Sequence, residues 1–138
     1  MSGPAIQQEL VTLVQQATGP IDVAANYLSS YAVQDALTAA AARGIPVHVV
    51  INPTAYGAAA ATHWLTSHGV TVRDAPVVPY LHAKILITGN AGLIGSANFS
   101  EDAMSARNHE FDVVMPASVV PVAQAWFNTL WAASRPAS

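Results

Sequence analysis

The spacing of apolar residues along the chain alternates between the helical and the extended period, which predicts helices and strands in turn. Residues 5–18 carry their apolar side chains on one helical stripe, and Gly19 and Pro20 end that helix. Mostly apolar segments at residues 21–27 and 47–52 predict two buried strands.

The segment between these two strands predicts a helix of its own. Ser29 or Ser30 is placed to cap its start, the helix runs through Arg43, and Gly44 and Pro46 mark its end. A strand, a helix and a second strand in this order favour a parallel pair joined by a right-handed crossover.

The second half of the chain predicts further elements of both kinds. These are helices over residues 56–68, 100–106 and 117–133, strands over residues 70–72, 85–88, 93–97 and 110–115, and a hairpin turn over residues 89–92. We therefore expect an α/β fold in which helices pack against a mixed β-sheet, with residues 1–138 forming one domain.

The composition is typical of a folded globular domain and excludes several kinds of chemistry. With 52% hydrophobic and 9% charged residues, the chain is expected to fold rather than remain disordered. It has no cysteine, which excludes disulfides, thiolate nucleophiles and cysteine-bound metals. No apolar run approaches the roughly 18 residues needed to span a bilayer. The first residues lack the basic and apolar regions of a signal peptide, so we expect a soluble protein and leave its compartment open.

The charge balance argues against an extended nucleic-acid surface. The formal net charge is −3 and there are only five basic residues, whereas nucleic-acid binders gain most of their affinity from neutralised phosphates. A single cleft with local positive charge remains compatible with this composition.

Two pairs of polar residues lie in the apolar runs on either side of residue 90. His82 and Lys84 stand two apart, as do Ser96 and Asn98, and residues two apart on a strand share a face. An antiparallel hairpin would gather an imidazole, an ammonium, a hydroxyl and a carboxamide, a set suited to a tetrahedral anion such as phosphate. The alternative is that these residues are structural, with Ser96 and Asn98 serving only as turn or cap residues.

These residues belong to a longer pattern that resembles the phospholipase D superfamily. The pattern is His82-Ala83-Lys84, then Gly95-Ser96-Ala97-Asn98, then Asn108-His109-Glu110. The resemblance covers nearly the whole chain and implies an αβα sandwich, a mixed sheet flanked by helices on both faces. The chain departs from the pattern at Gly89, where the family usually has an aspartate.

The resemblance also implies a reaction and a role for each residue. It implies a phosphodiesterase that needs no metal and no cofactor and works through a phosphohistidine at His82. Lys84 and Asn98 would stabilise charge on the phosphate oxygens, and Glu110 would accept a hydrogen bond from the far nitrogen of His82. The expected substrate-binding residues are Gly95, Ser96 and Asn108. Outside the motif, either Asn26 or Tyr27 is a candidate to line the cleft.

The same resemblance implies a partner. Two histidines are needed, one to attack and one to protonate the leaving oxygen, but the chain holds one such block. We expect a homodimer that builds one site from two copies, or else a second block missing from this chain. The expected substrate is nucleic acid, as in the small bacterial endonuclease-type members. The alternatives are a phospholipase or transphosphatidylase and, because of Gly89, an inactive phosphate-binding or dimerisation module.

Overall fold

A computed structural model describes residues 1–107 and 109–137. Its elements, in chain order, are α1 (Gly3–Gln16), β1 (Ile21–Ala25), α2 (Tyr31–Ala42), β2 (Val47–Ile51), α3 (Ala58–Ser67), β3 (Thr71–Asp74), β4 (Lys84–Ile87), β5 (Gly92–Gly95), β6 (Asp112–Val114), α4 (Val120–Ala133) and β7 (Arg135–Pro136).

The strands form one seven-stranded mixed sheet in the order β6-β5-β4-β1-β2-β3-β7. β1, β2 and β3 are parallel to one another, and the remaining neighbours pair antiparallel. The predicted parallel pair is therefore present, and the sheet continues from β1 directly into the β4–β5 hairpin.

Helices cover both faces of the sheet, which confirms the predicted fold class. Among the described residues, α1, α2 and α3 bury apolar side chains such as Leu10, Leu37 and Leu65 against one face. On the other face α4 buries Phe127 against Ile85 and Ile87 of β4. Removing these apolar surfaces from water is the main favourable term that holds the layers together.

Local signals in the sequence explain where the early helices begin and end. Ser30, rather than Ser29, caps α2, and its Oγ accepts a hydrogen bond from the Val33 backbone N–H at 3.3 Å. Gly44 follows the helix with φ 86°, a left-handed conformation that glycine adopts at little cost.

Two expectations about secondary structure are corrected, and one strand is additional. Residues 100–106 form a series of turns and no helix; the Ser100 hydroxyl caps the Ala103 N–H at 3.2 Å, but no sustained helical ladder follows. A short helix gains too few hydrogen bonds to offset its nucleation. The strand expected over residues 110–115 is limited to β6, and β7 was not predicted because a two-residue strand has no periodicity to detect.

No helix in the described part of the chain is long and apolar enough to cross a membrane.

Candidate active site

The β4–β5 hairpin places the two halves of the motif side by side. Its register pairs Ile85 with Ile94 and Ile87 with Gly92. Gly89 takes φ 77° as the first residue of a two-residue turn, and the Thr88 N–H donates to the Ala91 carbonyl at 2.8 Å. At about 3.3 Å per residue, the turn lies roughly 16 Å along the strand from Lys84. Glycine in place of the family's aspartate at position 89 therefore affects the hairpin turn, which lies at the other end of the two strands from His82 and Lys84.

The polar residues lie at one end of the hairpin strands, as expected, although Ser96, expected inside a strand, follows β5 instead. Lys84 is the first residue of β4, so His82 precedes the strand, and β5 ends at Gly95, before Ser96 and Asn98. Because these segments leave the ladder, the alternation of a strand does not fix the directions of their side chains. Side-chain hydrogen bonds fix them instead.

His82 and Lys84 are in direct contact. Nζ of Lys84 lies 3.1 Å from Nδ1 and 3.2 Å from Nε2 of His82, and it donates to the His82 carbonyl oxygen at 2.6 Å. The imidazole itself is exposed to solvent, whereas Lys84 is only 7% exposed. The exposed ring is accessible to a substrate, and the buried ammonium is held beneath it.

Two acidic neighbours oppose the effect of burial on the pKa of Lys84. Desolvation lowers the pKa of Lys84 below its ordinary value, while the negative charges of Glu110 and Asp112 raise it. The ammonium is thus charged at some cost in hydration, which makes it a strong partner for an anion that enters the site.

Ser96 ties the end of β5 to Glu110. Its Oγ donates to Oε2 of Glu110 at 2.5 Å and accepts from the Phe111 N–H at 3.0 Å. The Ser96 N–H also donates to the Phe111 carbonyl at 3.0 Å. The hydrogen bond that Glu110 makes here comes from Ser96, so its predicted bond to His82 remains a prediction.

Asn98 is held between two buried neighbours, Ala97 and Phe99. The Phe99 carbonyl accepts from the Ser30 N–H at 2.8 Å, which fixes this segment to the start of α2. The Asn98 Oδ1 atom is buried and, within the described residues, has no hydrogen-bond partner. Buried polar groups are nearly always paired, so this carboxamide is a candidate to bind a ligand.

Two other predicted residues have different outcomes. Asn108 lies outside the described residues. Gly95 faces β6, and a side chain there would overlap Cγ of Asp112 and the carbonyl oxygen of Phe111. Gly95 is therefore required by packing, and its role in substrate binding remains a prediction.

The structure adds a buried polar group at the carboxyl end of β1. Asn26 accepts hydrogen bonds through Oδ1 from Asn52 Nδ2 at 2.8 Å and from the Tyr80 hydroxyl at 3.1 Å. Its N–H donates to the carbonyl of Ala83 at 3.1 Å, next to His82. Of the two candidates Asn26 and Tyr27, Asn26 is thus the one tied to the segment that carries His82.

Asp112 is a second addition that the sequence analysis did not place in the site. It is 4% exposed, and its Oδ1 accepts from the Ala97 N–H at 3.1 Å. The sequence does carry a signal for Asp112: it stands two residues after Glu110 on an expected strand, and residues two apart share a face.

In the described ranges, 1–107 and 109–137, no group of three or more His, Cys, Asp or Glu side chains is placed to hold a metal ion.

A mixed sheet with helices on both faces, carrying the HxK and GSxN residues and Glu110 at one end, defines a phospholipase D-like domain. The family model described as "Cardiolipin synthase, PLD-like domain" matches residues 10–131, and the chain belongs to this family. The sequence matches none of the curated proteins with which it was compared.

Solved structures share the fold. Nuc from Salmonella typhimurium, a phospholipase D family member, is 23% identical with a TM-score of 0.85, and the match covers 95% of this chain and 90% of that one. NucT from Helicobacter pylori is 16% identical with a TM-score of 0.83, covering 97% and 94%. The phosphatidylserine synthase of Haemophilus influenzae is 12% identical with a TM-score of 0.72, covering 96% of this chain but 36% of that one.

Proposed function

We propose that this protein, as one domain over residues 1–138, is a metal-independent phosphodiesterase that forms a covalent phosphohistidine at His82 and cleaves nucleic acid as a homodimer. The contact between the exposed imidazole of His82 and the buried ammonium of Lys84 carries the proposal. It provides a nucleophile that substrate can reach and a fixed positive charge beside it. The size and fold that the chain shares with Nuc and NucT support a small, single-block enzyme.

The proposed reaction has two displacements at phosphorus. In the first, a ring nitrogen of His82 donates its lone pair to phosphorus, the bond to the leaving oxygen breaks, and that oxygen takes a proton from a second imidazole. In the second, this imidazole removes a proton from water, the hydroxide attacks phosphorus, and the nitrogen–phosphorus bond breaks. Lys84 and Asn98 stabilise the charge on the non-bridging oxygens in both steps.

The second imidazole is supplied by the His82 of another copy, or by a second block if this chain is part of a longer protein. A twofold axis beside the site would bring two identical histidines to opposite sides of one phosphate. Light scattering measures whether the chain is a dimer. Mixing wild type with His82→Ala tests the shared site, because the activity should then fall as the square of the wild-type fraction. A linear fall would show that each copy works alone.

The nuclease proposal is tested by incubating the protein with single- and double-stranded DNA and RNA in EDTA. We expect cleavage that persists in EDTA and disappears in His82→Ala. His63→Ala is the matched control, because His63 is exposed on α3 and should leave cleavage unchanged. A confirmed dimer with His82 intact that cleaves none of these substrates would refute the nuclease assignment.

Phospholipid is the second candidate substrate, and one surface favours it. Val77, Val78 and Tyr80, which lead into His82, are 56%, 84% and 56% exposed, so the entrance to the site is apolar. An apolar rim can contact the acyl region of a bilayer. This alternative predicts that the protein binds phospholipid vesicles and releases a headgroup, and it fails if neither occurs. A protein that forms no covalent adduct with any phosphodiester would instead be an inactive phosphate-binding or dimerisation module.

A further inference from the structure

Asp112 is a buried carboxyl group in line with Lys84. It lies in register with Gly95 of β5, and the β4–β5 register, which pairs Ile85 with Ile94, places Lys84 opposite Gly95 on the other side. Residues in register on neighbouring strands project from the same face. Lys84, Gly95 and Asp112 therefore form one row across three strands.

The middle residue of this row has no side chain, and Asp112 occupies the vacant space. A Cβ atom on Gly95 would overlap both Cγ and Oδ1 of Asp112. The carboxyl group thus lies over Gly95, the residue between Asp112 and Lys84 in the row. This glycine allows a carboxyl and an ammonium two strands apart to approach each other.

The charge of Asp112 acts on Lys84, and other groups act on Asp112. Burial raises the pKa of Asp112, the Ala97 N–H lowers it, and the negative charge of Glu110 raises it. Asp112 in turn opposes the effect of burial on the pKa of Lys84. Its Oδ2 is buried and, in the part of the chain that the structure describes, makes no hydrogen bond. A buried carboxyl with one oxygen unpaired is costly, so its position calls for a compensating role.

We propose that Asp112 is a positioning residue of the active site. Its carboxylate anchors the Gly95–Asn98 segment through the Ala97 N–H and supplies a buried counter-charge to Lys84. The assignment of this row to catalysis rests on the proposed function, but the coupling between Asp112 and Lys84 does not. Because an aspartate at position 89 would lie in the hairpin turn, Asp112 acts from a place that the usual motif aspartate does not occupy.

Lys84 is the only lysine in the sequence, which makes this coupling directly measurable. Protein labelled with carbon-13 at the lysine Cε gives a single side-chain signal, whose chemical shift reports the protonation of Lys84 without any activity assay. We expect Asp112→Asn, which keeps an acceptor for the Ala97 N–H, to shift the Lys84 titration to lower pH. Asp35→Asn, an exposed change on α2, should leave that titration unchanged.

Within residues 1–107 and 109–137, other titratable groups also act on Lys84 and Asp112. His82 touches Lys84, Glu110 acts on both Lys84 and Asp112, and the amino group of Met1 acts on Asp112. On the β1 side, Lys84 pairs with Ala25, which does not titrate. If Asp112→Asn shifts Lys84 no more than Asp35→Asn does, the counter-charge proposal is wrong, even if the protein cleaves phosphodiesters.

A second measurement keeps the proposal testable if Asp112→Asn does not fold. In Glu110→Gln, the Lys84 signal should still show an inflection at acid pH as Asp112 takes up its proton, at a pH above the usual value for aspartate. Absence of that inflection would overturn the proposal. In active protein, we expect the basic limb of the pH–rate profile to shift down together with the Lys84 titration in Asp112→Asn. Failure of the proposed function would appear separately, as an inactive wild type with an intact coupling.

Discussion

Substituting Gly95 with alanine should destabilise the protein, because the added methyl group has no space. It would meet the Asp112 carboxyl group and the Phe111 carbonyl oxygen. Neither can withdraw freely, since Asp112 is bonded to the Ala97 N–H and the Phe111 carbonyl to the Ser96 N–H. Overpacking of this kind costs about 1–3 kcal/mol. Alanine also restricts the unfolded chain, which returns about 0.4–1 kcal/mol. Subtracting the second range from the first leaves a net loss of about 0–2.6 kcal/mol, with a central value of about 1.3 kcal/mol.

Urea unfolding followed by circular dichroism measures this loss. With a denaturant slope of about 2 kcal/mol per molar urea, the central value lowers the midpoint by roughly 0.7 M. Gly19→Ala is the control, because nothing lies within 4 Å of a Cβ atom at Gly19. It should leave stability unchanged or raise it slightly. The packing argument is refuted if Gly95→Ala and Gly19→Ala have the same midpoint.

Three further predictions concern stability. Tyr80→Phe removes the hydroxyl that donates to Asn26, and it should lower the free energy of unfolding, measured in urea, by about 0.5–1.5 kcal/mol. The control Tyr56→Phe changes an 89% exposed residue and should have no measurable effect. The carboxylate of Asp22 contacts both His48 and the α4 residue Gln124. Asp22→Ala removes it and should lower the free energy of unfolding by about 1–3 kcal/mol. A loss no larger than that of Asp35→Ala would contradict this expectation. Because the folded-state pKa of Lys84 lies below its unfolded value of 10.5, the unfolded chain binds more protons between the two values, and stability should rise with pH there. Urea unfolding at several pH values should show this rise in wild type relative to Lys84→Met, and equal pH dependence of the two proteins would contradict it.

Much of the fold is predictable from local signals in the sequence. The parallel β1–β2 pair follows from two apolar runs separated by a capped helix, and Ser30 and Gly44 mark the ends of that helix. The turns over residues 100–106 were mistaken for a helix because Ser100 caps a turn with the same chemistry that begins a helix. Strand β7 depends on pairing with β3, a long-range contact that leaves no periodic pattern in two residues.

The sequence indicates which residues belong to the candidate site, but it indicates only part of their geometry. The motif identified His82, Lys84, Ser96 and Asn98, and the hairpin brings their segments together. The Ser96–Glu110 hydrogen bond was not expected, because it depends on how β6 pairs with the end of β5.

Asn26 and Asp112 show why the geometry of the site goes beyond the sequence pattern. Asn26 had been considered only as one of two candidates to line the cleft, and its partners Asn52 and Tyr80 are distant in sequence. Asp112 owes its importance to the space above Gly95, which appears only when β5 and β6 are paired. Register between strands is a property of the whole sheet, so neither role could be assigned from spacing alone.

The central claim is that His82 becomes covalently phosphorylated during turnover. The most direct measurement is to quench the protein during its reaction with a phosphodiester, in the presence of EDTA, and to locate any phosphoryl adduct by mass spectrometry of its peptides. The account predicts an acid-labile adduct on His82 that is absent in His82→Ala and still present in His63→Ala. Phosphodiester cleavage without an adduct at His82, or an adduct on another residue, would contradict it.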